Sequence, residues 1–212
     1  PEYEVVRYRK SLFDALPGLL EQVQARSVGF ESTRLTVKQH QDLIDHLAKN
    51  QIPVHLVATD NQVEFMRVAK DPTEVAITRK AVACAETAFR HLKAWLQPGR
   101  TESGVARKLE ELMVEAGAEA PSFPIIVAAG DNSAKPHAVP GKRPIKIGEP
   151  VLLDWGARFE GYCSDISRTI IFGPPDEQFQ KIYAIVRQAQ AAAIAAIKPG
   201  AHGQAVDTVA RN

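Results

Sequence analysis

Apolar residues recur every three or four positions over 11–24 (Leu12, Leu16, Leu19, Leu20, Val23), and this spacing predicts a helix. A second helix is predicted over 36–50, and 27–30 and 52–57 (IPVHLV) read as short strands. Residues 3–69 therefore form a small α/β region. Lys70-Asp71-Pro72-Thr73-Glu74 marks its end. Asp71 can cap a helix, Pro72 suits the first helical position and Glu74 completes a capping box. A long helix should run from there to about Leu96, where Pro98-Gly99 stops it. Residues 101–116 carry the apolar stripe of another helix (Val105, Leu109, Leu112, Met113). The run FPIIVAA at 123–129 reads as a buried strand, and Gly130-Asp131-Asn132 turns the chain into a loop that carries His137. A further Ala-rich helix is predicted over 177–197.

Between that loop and that helix lie two β-prone runs, 151–159 (VLLDWGARF) and 162–172 (YCSDISRTIIF), joined by Glu160-Gly161. Glycine at the second turn position suits a two-residue hairpin loop. If Phe159 faces Tyr162, Asp154 faces Ser167, with Asp165 two residues along the same strand. Alternation then puts both carboxylates on one face as diagonal neighbours, roughly 7–8 Å apart. Trp155 should point to the opposite face and join the core. Aspartate is depleted in strands, and a buried charge must be paired or metal-bound. The apolar setting of Asp154 favours metal ligation by Asp154 and Asp165. The same residues also fit exposed edge charges, or partners of Arg158 and Arg168, and the spacing alone does not separate these readings.

Residues 80–111 and 181–212 align without gaps at an offset of 101. Each copy has a long helix from a lysine (Lys80, Lys181), a Pro-Gly turn and a second amphipathic helix. Repeated units of this kind stack to bury a shared core. The first copy is followed by the strand, the loop and the hairpin. The second stops at Asn212 in mid-helix, so the expectation is a fragment of a longer protein with a facing second set of strands.

Charge alters this picture only by exclusion. Lys and Arg number 26 against 25 Asp and Glu, so there is no basic footprint for nucleic acid. No apolar run approaches the roughly 20 residues of a membrane span, and PEYEVVRYRK has no signal-peptide core. Cys84 and Cys163 lack zinc spacing and read as reduced thiols of a cytoplasmic protein. His40, His46 and His55 have no ligand-like grouping and read as surface or packing residues.

Four stretches act together: MRVAKDPTEVAITRKA, FPIIVAAGDNSAKPHAVP, VLLDWGARFEGYCSDISRTIIFG and the KPG turn at 198–200. With them the chain from Arg67 onward resembles the pita-bread metallopeptidases, most nearly Xaa-Pro aminopeptidases and Xaa-Pro dipeptidases (prolidases), with methionine aminopeptidases more distant. The resemblance implies an α+β fold: part of an α/β N-terminal domain over 1–69, then the first half of a pita-bread catalytic domain over 70–212. It implies that Asp154 is a metal ligand, that Asp165 bridges two metal ions, and that His137 lies by the scissile carbonyl without binding metal. The complete site implied has two divalent ions (Mn, Co or Zn), completed by a histidine and two glutamates beyond Asn212. His202, in the turn of the repeat, is no substitute. The activity implied is hydrolysis of the bond before proline in peptides with proline second, by a cytoplasmic homodimer, the fragment alone being inactive. Arg168 is expected to pair with a carboxylate near the site. The alternative from the same fold is a metal-free module that binds peptides or proteins, or a creatinase-like metal-free hydrolase. Retention of two carboxylates aimed at each other counts against both, since their repulsion destabilises a metal-free fold.

Overall fold

Ser11 caps the first helix, α1 (Leu12–Gln22), accepting a hydrogen bond from the Asp14 amide at 3.2 Å. The computed structural model describes residues 5–9 and 11–212; residues 1–4 and Lys10, within the N-terminal region read above, lie outside the described residues. The chain divides into a unit ending at Lys70 and another over Asp71–Asn212.

In the first unit, strands β1 (Ser27–Glu31) and β2 (His55–Thr59) pair in parallel across helix α2 (Val37–Lys49). Leu20 of α1 and Leu43 and Leu47 of α2 are its buried core. Strand β2 starts three residues later than expected, because Pro53 has no amide hydrogen to give a ladder. Helix α3 (Gln62–Val68) was not foreseen: it buries none of its residues, so no apolar stripe marks it. His46 Nε2 lies 3.2 Å from Asp14 Oδ1 and the His40 ring packs on Phe30, both structural placements.

In the second unit the capping box is present. The Glu74 amide donates to Asp71 Oδ1 at 2.8 Å and the Asp71 amide to Glu74 Oε2 at 2.7 Å, starting helix α4 (Pro72–Trp95). Helix α5 (Glu102–Glu115) packs beside it. The strands follow: β3 (Ala120–Pro121), β4 (Ile126–Ala129), β5 (Pro150–Trp155), β6 (Ala157–Phe159), β7 (Tyr162–Cys163) and β8 (Ile166–Ile171). They make two three-stranded antiparallel sheets, β3-β6-β7 and β4-β5-β8. One apolar core joins Ala85, Ala88 and Leu92 of α4 with stripe residues of α5 and with Val151, Leu153 and Trp155 of β5. Trp155 is fully buried, donates from Nε1 to the Ala85 carbonyl at 3.1 Å and stacks on Phe89, as its place on the core face requires.

The hairpin register is the one read from the letters: Phe159 faces Tyr162 and Asp154 faces Ser167. Glu160 and Gly161 have φ of 46° and 77°, the paired left-handed conformations of a type I′ loop. The ribbon is not one sheet, however. It divides at Gly156, its tip pairing with β3 and its base with β4.

The repeat is structural. Helices α6 (Glu177–Ala196) and α7 (Gly203–Arg211) end and start 101 residues after α4 and α5 do. The turns match too: Leu96 and Ile197 share φ of −73°, and Gly99 and Gly200 have φ of 88° and 84°. The copies differ in burial, since α6 and α7 bury no residue fully. Among the described residues no helix is long and apolar enough to cross a membrane.

Candidate functional site

Alternation along β5 divides the strand between two environments. Val151, Leu153 and Trp155 face the helices; Leu152 and Asp154 face the other way, where Ile126, Ala128 and Ala138 form a small apolar cluster. The loop from Gly130 lies over this second face. Its buried Ala138 anchors it there and leaves the neighbouring His137 exposed. A recess of about 440 Å³ results, lined by His137, Asp154 and Asp165 together with Phe123, Ile126 and Val139. All three residues singled out from the sequence thus meet in one place, on one face, in the second unit.

Two expectations need correction. Asp165 is exposed and lies just before β8, not within a buried strand, and Asp154 is only half-buried. The face they share is opposite the one covered by α4 and α5, and the His137 loop lies over it. Among the described residues Arg168 makes no carboxylate pair near the site. It lies opposite Leu153, donates to the Ser167 carbonyl and borders Trp155 on the core side. Arg158, the other candidate partner, is taken by Glu119 at 3.2 Å. Tyr162 donates its hydroxyl to Glu74 Oε1 at 2.7 Å, a structural tie to α4.

Asp154 Oδ1 is buried with no hydrogen-bond partner among the described residues. A buried acceptor left in that state is costly, and a cation would satisfy it. The two acidic side chains therefore fit a hard divalent ion. Among the described residues no group of three His, Cys, Asp or Glu side chains is arranged to hold a metal ion, so the fit is that of part of a site.

Burial raises the Asp154 pKa from its ordinary value; hydrogen bonding from Ser167 lowers it, the Asp165 charge raises it further, and His137 offsets part of that. A carboxyl whose folded pKa lies above its unfolded one costs stability at higher pH, and the cost disappears as pH falls through the folded value. Asp154→Asn should therefore stabilise the chelator-treated protein at pH 7, by up to about 1 kcal/mol. Urea melts of both proteins should show the gap closing as pH falls through the acid range in which Asp154 takes up its proton. A variant less stable than the parent at pH 7 would show that the hydrogen bond from Ser167 outweighs the cost of burying the charge.

Two site-bearing residues escaped the sequence reading. Glu102, fully buried at the start of α5, fastens the His137 loop. Ser164, also buried, donates to the Ala81 carbonyl of α4 at 3.1 Å and accepts from the Ala157 amide at 2.9 Å, fixing the chain just before Asp165.

Known proteins similar to this chain give its family. The chain is 35% identical over 210 residues to the uncharacterized peptidase YqhT of Bacillus subtilis, covering 99% of this chain and 58% of that protein. Among solved structures it superposes on the Xaa-Pro dipeptidase of Bacillus anthracis with a TM-score of 0.89 and 35% identity, covering 99% of this chain and 57% of that one. For the X-Pro aminopeptidase of Thermotoga maritima the values are 0.92, 28%, 99% and 59%, and for the prolidase of Pyrococcus furiosus 0.83, 33%, 99% and 59%. The chain thus spans under two thirds of each relative, and the architecture is that of the first half of the pita-bread prolidase structures. The family model for metallopeptidase family M24 matches residues 76–212, which include His137, Asp154 and Asp165. By a match over well more than half its length, the chain belongs to metallopeptidase family M24.

Proposed function

We propose that the full-length protein is a metal-dependent exopeptidase that hydrolyses the bond before proline in peptides with proline second. Residues 1–69 are the later part of its N-terminal domain and 70–212 the first half of its catalytic domain. Asp154 and Asp165 are metal ligands and His137 is a catalytic residue. The observation that carries this is the shared recess, in which a buried Asp154 oxygen without a donor lies beside Asp165 and an exposed His137. The names of the relatives, an Xaa-Pro dipeptidase, an X-Pro aminopeptidase and a prolidase, support the substrate class.

Divalent cations, when bound, supply Lewis acidity and a water acidified toward neutral pH. The chain's own residues supply the rest. Asp154 and Asp165 offer negative oxygens suited to Mn, Co or Zn. His137, free to reach a ligand, donates a hydrogen bond to the carbonyl oxygen as negative charge develops there, or to the leaving amine. The apolar wall of Phe123, Ile126 and Val139 presents a surface to a proline ring. With no three-ligand group among the described residues, residues 1–212 alone should be inactive.

Metal analysis and an X-Pro peptide assay on the full-length gene product test the reading. Bound divalent metal and cleavage before proline are expected. A protein that binds peptides or proteins but neither metal nor X-Pro substrates for turnover would be the metal-free module instead.

A further inference from the structure

Glu102 occupies the first position of α5, where an acidic residue ordinarily faces water and favours the helix dipole. Here the side chain is completely buried. Burying a carboxylate without compensation is costly, so its partners matter. Oε1 accepts from the Ala129 amide at 2.8 Å and from Asn132 Nδ2 at 3.1 Å. Oε2 accepts from the Gly141 amide at 3.0 Å and from Asn132 Nδ2 at 3.2 Å. Every partner is a donor, and no cation pairs with the group among the described residues. Arg143, the nearby guanidinium, is held in a two-point pair by Glu149 at 2.6 and 2.5 Å.

The donors come from both ends of one loop. Ala129 ends β4, Asn132 lies in the first turn after it, and Gly141 is where the loop returns. Main-chain bonds extend the clamp: the Glu102 amide donates to the Arg143 carbonyl at 3.1 Å and the Ser103 amide to the Gly141 carbonyl at 2.9 Å. Between the clamped ends, His137 projects into the recess beside Asp154 and Asp165. Its loop has one buried apolar anchor, Ala138.

We infer that Glu102 is a positioning residue: its carboxylate ties the two ends of the 130–141 loop together and so holds His137 at the reacting position. The inference rests on the catalytic reading of His137. The group has to be a carboxylate because two main-chain amides on opposite sides both need an acceptor. A glutamine offers one oxygen and one NH₂, so one amide would face a donor and that end of the loop would be released.

The test is a double-mutant cycle in the full-length protein. Glu102→Gln should lower kcat on an X-Pro peptide about 10–100-fold, the penalty for a catalytic group misplaced by about an ångström, with KM within about threefold. Glu102→Asp, which keeps both acceptors on a shorter arm, should recover part of it. In a His137→Ala background Glu102→Gln should cost less than about threefold more, since residues acting as one unit are not additive. An equal loss in both backgrounds, or no loss in either, overturns the inference. If Glu102→Gln does not fold, Asn132→Ala removes two of the four bonds and enters the same cycle, with the same additive outcome against it. If the parent cleaves no X-Pro peptide, the functional reading fails separately, and hydrogen exchange decides the clamp. Faster exchange in Glu102→Gln confined to 130–141, by about tenfold or more, upholds it; a protein-wide change or none removes it.

Discussion

Asp165→Asn in the full-length protein is expected to lower turnover of an X-Pro peptide by roughly 10³-fold, the several kcal/mol that metal assistance contributes to such a reaction. The change keeps the shape of the side chain and removes its charge. Asp165 is exposed and outside the regular strand, so the fold has little reason to respond. A loss of activity with an unchanged melting temperature would therefore report on the chemistry alone. Arg168→Ala is the matched control. Arg168 is next to Ser167 in sequence but faces the core side, with Trp155, and its removal should change turnover by no more than a few-fold. Kinetics and metal content measured on both variants settle the assignment. Normal turnover and metal content in Asp165→Asn would remove Asp165 from the ligand set.

Much of this site was legible in the letters, for a definable reason. The Glu160-Gly161 turn fixes one pair, and antiparallel register then carries that pairing to Asp154 and Ser167 without further information. Alternation identified which residues share a face. It does not say whether the face is covered, and the exposure of Asp165 therefore has no signal in the alternation. The helical repeat was legible because Pro-Gly turns demand the same backbone twice. Glu102 was not, because an acidic residue in a helix's first turn is ordinary and its burial depends on a loop thirty residues away. Ser164 was missed for the same reason, its bond to Ala81 spanning 83 positions. Helix α3 left no signal, having no buried side. Local pattern fixes elements and faces; long-range polar contacts that aim a side chain have no local signature.

The division of the hairpin at Gly156 supplies the largest stability effect expected here. A Cβ at Gly156 would lie 1.8 Å from the Ser164 carbonyl oxygen and 2.7 Å from its carbon, with Ser122 Oγ at 2.8 Å. The first two are backbone atoms, so no rotamer change can make room. They are also tied down: the Ser122 hydroxyl donates to the Ser164 carbonyl at 2.8 Å, and the Ser122 amide to the Gly156 carbonyl at 2.9 Å. Gly156→Ala must therefore spread the two strands where they change sheets, at a cost of about 3 kcal/mol, or a drop in melting temperature on the order of 10 °C. Gly161→Ala separates this from ordinary glycine strain. That residue has φ of 77° with nothing within 4 Å of its Cβ, so alanine there should cost only about 1 kcal/mol. Because Asp165 directly follows Ser164, the strand movement in Gly156→Ala should also displace a carboxylate of the recess. Metal content and turnover should then fall even below the melting transition, while Gly161→Ala keeps both. Thermal melts and metal analysis of the two variants decide it: if Gly156→Ala is as mild as Gly161→Ala, the strands part freely at this point and the close approach does not set the position of Asp165.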